Sequence, residues 1–359
     1  MPTSPWRRRS TPFPSLAEPP ALRPPQLPFV ALDELGSRPH VVVDGAARPG
    51  SVLTLSHWPA SPTPIPLWRD LSAEIALAYL DAPEHWRDAE AVTLDHLDAD
   101  GLVSLLVLVD PAAARERARL LVAVARAGDF DVVEERPAAL VAFALRALAD
   151  PARSPLGGRD AGPTAWLGRC AGAVLEILPA LCDHPEDFSE LSGEEAAALE
   201  ASHAAFASGS AELHELPASQ LAAVCLNTPV PGASGRIGSG AGRLIGLHPA
   251  AIHARTAMPR VLVVEPGRTS YYDRYETWVR FTSARLACRV DLGPLAEELN
   301  ALEGGGRRWS ADPPARTRPV LACEEGTGLA EGDLLAVLTR HLAGAPAAWD
   351  PFAANPAFP

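Results

Sequence analysis

The chain has 359 residues, of which 47% are hydrophobic, and a formal net charge of −13 at pH 7. This length suits two domains, and the composition is far from that of disordered proteins. The negative charge disfavours broad binding to duplex nucleic acid. All 31 basic residues are arginine, which excludes a Walker-type phosphate loop and a Schiff-base lysine because both need lysine.

The order of apolar runs and helical segments along the chain predicts an α/β protein with two sheet-containing parts. Proline-rich residues 1–35 predict a flexible or extended leader, and residues 36–150 alternate short apolar runs with helical segments, as in a parallel-sheet domain. Residues 151–215 are alanine-rich and predict a helical segment. Residues 216–345 predict a smaller α/β domain, and residues 346–359 a proline-punctuated tail. Strands are expected at 278–281 and 285–291 of the second domain.

Three apolar runs in the first domain each end beside side chains that can bind a metal ion. Asp44 follows 41–43, His57 follows 51–55, and His96, Asp98 and Asp100 follow 91–94. In a parallel sheet the carboxyl ends of the strands meet at one edge, where ligands bind. The sequence therefore predicts a metal site at this edge.

The segment His96-Leu97-Asp98-Ala99-Asp100-Gly101 carries the strongest of these signals. Closely spaced carboxylates repel one another unless a cation neutralises them. The glycine predicts a sharp turn before a helix that starts near Leu102. An EF-hand is excluded because it needs a glutamate at its twelfth position, which counted from His96 is Val107. The alternative is an acidic surface turn that caps the helix.

These residues resemble the motifs of the DHH phosphoesterase superfamily. His96, Asp98, Asp100 and Gly101 resemble its first motif, and Asp44 after a strand resembles the metal-bridging aspartate of its second. Ser56-His57-Trp58 looks like a degenerate third motif, and Gly128-Asp129 at a helix end is similar to the fourth. The motif order requires a circularly permuted sheet. The resemblance implies one or two Mn²⁺ or Mg²⁺ ions bound by Asp44, His96, Asp98, Asp100 and Asp129, with His57 and Asp98 as catalytic residues.

A second resemblance lies near the far end of the chain. The segment from Arg285 through a predicted helix at 294–302 to a glycine-rich loop is similar to the DHH-associated substrate domain. The resemblance implies that phosphate is held by residues of that strand and loop: Arg285, Gly304, Gly305, Gly306, Arg307 and Arg308. Arg307 stands where that family usually has histidine.

The chain is also identified as a member of an uncharacterised bacterial family with the signatures Asp-His-x-Asp-x-Asp-Gly and Arg-Tyr-Glu-x-Trp-Val, the second at 274–279. Tyr275 and Trp278 of that signature either belong to the core or stack on a base. Several candidate site residues also have a purely structural interpretation. Asp44-Gly45 can be an ordinary turn, and His57 and Asp129 can be residues of packed loops. The three consecutive glycines can be a flexible linker.

The expected function is metal-dependent hydrolysis of a small phosphorylated substrate or short oligonucleotide. The rival is a non-catalytic protein that binds a nucleotide or phosphate on the same scaffold. A cytoplasmic location without membrane contact is expected, because no apolar run of about 18 residues and no secretory signal is evident. Five scattered cysteines without a Cys-x-x-Cys pair favour reduced thiols.

Overall fold

The computed structural model describes residues 24–157, 162–237, 243–306 and 308–353. It has the mixed α/β architecture expected from the sequence. The N-terminal sheet contains β1 (His40–Val43), β2 (Ser51–Leu55) and β3 (Ala91–Thr93), all parallel in the order β2-β1-β3. Every residue of β1 and β3 is buried, as expected for strands covered by helices on both faces.

In the described residues, seven helices accompany this sheet: α1 (Ser72–Leu80), α2 (Ala99–Val109), α3 (Pro111–Glu116), α4 (Ala118–Asp129), α5 (Arg136–Ala149), α6 (Pro163–Asp183) and α7 (Ser189–Ala207). The last two lie in the helical segment expected at 151–215. Helix α2 is apolar on all sides and lies in the core, in contact with α1, α4 and α6. Among the described residues, α6 alone has the length and apolar composition that could span a membrane. One face of α6, with Trp166, Cys170 and Leu178, is buried in the same core as α2, as in a core helix of a soluble protein.

The second part of the chain is built on a six-stranded mixed sheet. Its elements are β4 (Ala211–Leu216), β5 (Leu221–Leu226), β6 (Gly235–Ile237), β7 (Arg243–Ile245), α8 (Pro249–His253), β8 (Arg260–Glu265), β9 (Arg268–Asp273), β10 (Arg289–Val290), α9 (Gly293–Leu302), β11 (Trp309–Ala311), β12 (Val320–Cys323), α10 (Glu331–Gly344) and β13 (Ala347–Trp349). The sheet order is β11-β12-β9-β8-β5-β4, and only the β5–β8 pair is parallel. The strands β6 and β7 pair separately, as do β10 and β13.

The two parts are joined by polar and aromatic contacts. Asp70, just before α1, accepts hydrogen bonds from the backbone nitrogens of Thr282 and Ser283 at 2.6 and 3.0 Å. Arg318 forms an ion pair with buried Asp131. Tyr275 and Trp278 belong to the apolar core of the N-terminal part. The end of β9 therefore lies against the carboxyl edge of the parallel sheet.

Several local expectations are wrong. Residues 24–35 are not part of a flexible leader, because Leu27 is buried and Phe29 forms a bridge with Val92 of β3. The strand expected at 278–281 is absent, since a 3₁₀ turn at Tyr275–Thr277 precedes an irregular segment. The strand expected at 285–291 contains only the two residues of β10.

Candidate metal centre

The predicted ligands meet at the carboxyl edge of the parallel sheet. Asp44 directly follows β1, His57 lies two residues beyond β2, and Asp98 caps the N-terminus of α2 after β3. Asp129, the last residue of α4, lies beside them. The side chains form two groups that share Asp44: an inner triad of Asp44, His57 and Asp100, and an outer triad of Asp44, His96 and Asp98.

The inner triad is fully enclosed. His57 Nε2 lies 3.5 Å from Asp44 Oδ1, 3.9 Å from Asp100 Oδ2 and 3.6 Å from Asp129 Oδ2. The His57 and Asp100 side chains have no exposed surface. Three carboxylate oxygens thus lie within 4 Å of one ring nitrogen, a mixed donor set of the kind that binds divalent cations.

The first turn of α1 holds the inner triad in place. Asp100 accepts hydrogen bonds from the backbone nitrogens of Ser72 and Ala73, both at 2.7 Å, where the positive end of the helix favours a carboxylate. The Ser72 hydroxyl donates to Asp44 Oδ1 at 2.6 Å. The His57 Nδ1 donates to the Asp70 backbone carbonyl at 2.6 Å, which leaves the Nε2 lone pair facing the carboxylates.

The outer triad is partly exposed. His96 Nε2 lies 2.8 Å from Asp98 Oδ2 and 3.3 Å from Asp44 Oδ2, and the His96 and Asp98 side chains are 32% and 29% exposed. Gly101 lies in the first turn of α2 and not in a sharp turn as expected. A Cβ at Gly101 would lie 3.1 Å from Asp98 Oδ1 and 3.3 Å from Asp44 Oδ2, so the missing side chain lets these carboxylates approach α2.

The electrostatics of the cluster indicate a missing positive charge. Burial and the neighbouring carboxylates raise the pKa values of Asp100 and Asp129 well above their usual range. Burial opposes protonation of His96, but the charge of Asp98 and the hydrogen bonds of His96 with Asp95 and Asp98 outweigh it and raise the His96 pKa well above its usual value. Burial also disfavours an ionised Asp98, yet His96 lowers the Asp98 pKa to about 2. A bound cation would relieve the repulsion among these carboxylates.

Unpartnered atoms support the same conclusion. Asp44 Oδ2, His57 Nε2 and Asp129 Oδ2 are buried without a hydrogen-bond partner among the described residues. A buried polar atom without a partner costs about 1–3 kcal/mol, and three such atoms face the same cluster. The residues present therefore fit a bound metal ion, and the buried Asp44, His57 and Asp100 can hold one.

Aromatic side chains from both parts of the chain surround the cluster. Tyr275 lies edge-on to His57, with ring centroids 5.8 Å apart, and stacks on Trp278 at 5.7 Å. The ring of Trp58 is 5.2 Å from that of His96 on the open side. Tyr275 and Trp278 are buried, so they belong to the core and to the wall of the site.

The predicted phosphate-binding residues lie in the second part of the chain. Arg285 is exposed in the segment before β10. Gly304, Gly305 and Gly306 follow α9, and the adjoining Glu303 accepts a hydrogen bond from Gly328, near the start of β9. Tyr275 follows the other end of β9, about 17–20 Å away for a strand of six residues. Arg308 is exposed beside β11, and Arg307 lies outside the described residues.

No site role was predicted from the sequence for three residues that contact the ligands. Ser72 carries no metal-ligand signal, although its hydroxyl orients Asp44 and its backbone nitrogen binds Asp100. Asp95 precedes the motif histidine and binds it. The contact of Tyr275 with His57 depends on tertiary packing, which no local pattern reveals.

Comparison with protein families gives one match. Residues 25–348 match a family described as a family of unknown function (DUF6687). The chain belongs to this family. No curated protein and no solved structure matches the chain. The matched region covers both the parallel sheet and the six-stranded sheet, and every residue of the metal centre lies within it.

Proposed function

We propose that this protein is a metal-dependent phosphohydrolase or phosphodiesterase that acts on a small phosphorylated or nucleotide substrate. The observation that carries the proposal is the pair of ligand triads that share Asp44. A shared carboxylate can bridge two cations about 3.5–4 Å apart, the spacing used by two-metal phosphate enzymes. The resemblance to the DHH phosphoesterases, drawn from the same residues, favours the same chemistry.

The donor set favours Mn²⁺ or Mg²⁺. Both triads consist of carboxylates and imidazoles. Carboxylate oxygens suit Mg²⁺ and Mn²⁺, whereas structural zinc sites are rich in thiolates. Two imidazoles among the ligands favour Mn²⁺ over Mg²⁺, which binds mainly oxygen.

The two triads suit different tasks. Divalent ions bound there would lower the pKa of a water molecule and neutralise charge on phosphate oxygens. His57 has no exposed surface and its Nδ1 is bound to a carbonyl, so it serves better as a ligand than as the catalytic acid or base expected from the sequence. Asp98 is ionised and partly exposed, so it can accept a hydrogen bond from water beside the substrate.

The rival function is non-catalytic binding of a nucleotide or phosphate. Its support is the enclosure of the inner triad, whose His57 and Asp100 side chains have no exposed surface, so a metal ion there would organise the site without contacting the ligand. Under this proposal, ligand binding depends on the metal but the ligand leaves unchanged.

A hydrolysis assay separates these functions. The chelator-stripped chain is supplied with Mn²⁺ and tested on p-nitrophenyl phosphate, bis-p-nitrophenyl phosphate and short oligonucleotides. We expect turnover by the parent and by Asp81→Asn, a control at an exposed ion pair, and a loss of at least 100-fold in Asp44→Asn. Metal-dependent binding of these compounds without turnover would favour the rival, and neither binding nor turnover would contradict both.

A further inference from the structure

Asp95 connects two ligands of the outer triad without belonging to it. Its Oδ1 accepts a hydrogen bond from His96 Nδ1 at 2.9 Å, and its Oδ2 accepts one from the backbone nitrogen of Ala46 at 3.2 Å. Ala46 lies two residues after Asp44, which has a left-handed backbone with φ of 45°. Asp95 thus joins the end of β3 to the turn that follows β1.

The contact determines which nitrogen of His96 faces the cluster. The other carboxylate oxygen of Asp95 accepts hydrogen bonds from the backbone nitrogen of Ala46 and from the Arg48 guanidinium, so Asp95 acts as an acceptor on both sides. The His96 Nδ1 must therefore carry a proton, and Nε2 faces Asp98 and Asp44. A carboxylate behind a histidine ligand fixes the ring in this way in many metal sites.

Gly45 makes the contact possible. A Cβ at Gly45 would lie 2.8 Å from the Cγ and both carboxylate oxygens of Asp95. Real Cβ atoms essentially never come so close to other heavy atoms, so any larger residue would displace the Asp95 carboxylate. The close approach of the Asp95 carboxylate therefore explains why residue 45 is a glycine.

The inner triad does not depend on Asp95. His57 is fixed by the Asp70 carbonyl, and Asp100 is fixed by the first turn of α1. Asp44 belongs to both triads but has its own hydrogen bond from Ser72. A change at Asp95 should therefore affect the outer triad selectively.

We propose that Asp95 is a positioning residue that orients His96 and thereby sets the affinity of the outer triad for its cation, while the inner triad is independent of it. This inference rests on the metal centre proposed above. Loss of such a supporting carboxylate typically lowers metal affinity about 10–100-fold.

The test is a Mn²⁺ titration of the chelator-stripped full-length chain by calorimetry. The variants are Asp95→Asn, which removes the charge, and Gly45→Ala, which displaces the carboxylate but keeps every ligand. Matched controls are Asp81→Asn at an exposed ion pair and Gly172→Ala in α6, where a Cβ has open space. Electron paramagnetic resonance reports separately whether two Mn²⁺ ions lie close enough to couple.

We expect the parent and both controls to bind two ions. Asp95→Asn and Gly45→Ala should bind the first ion as the parent does and the second about 10–100-fold more weakly, with loss of the coupled signal at concentrations that saturate the parent. Unchanged binding of both ions in a folded variant, or equal weakening of both, would overturn the role of Asp95 and leave the metal centre intact. If the parent binds no Mn²⁺, the metal centre and this inference both fall. Should Asp95→Asn fail to fold, Gly45→Ala decides the matter.

Discussion

The contact between α4 and α2 that places Asp129 can be tested by adding one methyl group. Gly128 is the residue before Asp129 in α4, and a Cβ there would lie only 2.4 Å from the Cβ of Ala99. Ordinary contacts of this kind are about 3.4–4 Å. In Gly128→Ala the two helices must therefore separate by roughly 1 Å or more, and Asp129 must move with α4.

Two opposing effects determine how much Gly128→Ala changes the free energy of unfolding. Alanine is favoured over glycine inside a helix by about 1 kcal/mol. Overpacking a well-packed core costs about 1–3 kcal/mol, and the gap here is too small for the methyl group without a backbone shift. Because the backbone must shift, the overpacking cost should lie in the upper part of this range, about 2–3 kcal/mol. Less the gain from alanine, we expect Gly128→Ala to lower the free energy of unfolding by about 1–2 kcal/mol, whereas Gly172→Ala, which has open space, should raise it by up to about 1 kcal/mol.

A double variant isolates the clash. In Ala99→Gly/Gly128→Ala the methyl group changes sides, and the remaining Ala99 atoms lie at 3.6 and 3.7 Å, which are ordinary contacts. Urea unfolding should find the double variant more stable than Gly128→Ala by about 1 kcal/mol, and Mn²⁺ binding should recover with it. A single variant Gly128→Ala that is as stable as the parent, or a double variant without recovery, would refute the reasoning.

Three further outcomes follow from the buried charges. Asp131→Asn leaves Arg318 buried without its ion pair and should cost about 3–5 kcal/mol in urea unfolding, against less than about 1 kcal/mol for exposed Asp81→Asn; equal costs would contradict this. Asp70→Ala removes the carboxylate bound to Thr282 and Ser283 and should cost about 1–3 kcal/mol, yet keep Mn²⁺ binding because His57 uses the backbone carbonyl of residue 70. The raised pKa values of Asp100 and Asp129 mean that the folded chain keeps protons after the unfolded chain has lost them, above a pH of about 4. The free energy of unfolding of the chelator-stripped chain should therefore fall as the pH rises from 4 towards 8, and the increase in melting temperature given by Mn²⁺ should be larger at pH 8 than at pH 5.5. A Mn²⁺ effect that is independent of pH would contradict the assignment.

The sequence predicted the parallel sheet and the meeting of its strand ends, because these depend on local patterns. Short apolar runs ending in Asp44, His57 and the His96 motif are visible in the chain, and parallel pairing then places them at one edge. Asp129, which ends a helix beside a glycine, was expected only from the resemblance to the fourth DHH motif.

Features that depend on tertiary contacts escaped prediction. Helix α5 is buried along most of its length, so its composition shows little alternation between apolar and polar residues. Tyr275 reaches His57 only because the end of β9 lies against the parallel sheet. The glycines at 304–306 carry a local signal for phosphate binding, yet the direction of β9 takes them away from the cluster.

The most direct test of the metal centre is the number of Mn²⁺ ions bound by the chelator-stripped chain and by Asp44→Asn, with Asp81→Asn as the control. Asparagine tolerates the left-handed backbone of Asp44, so this substitution removes the shared charge without a strained turn. We predict two ions for the parent and the control, and weakened binding at both positions in Asp44→Asn because each triad loses the same carboxylate. A parent that binds no Mn²⁺, or an Asp44→Asn variant that still binds two ions with parental affinity, would contradict the account.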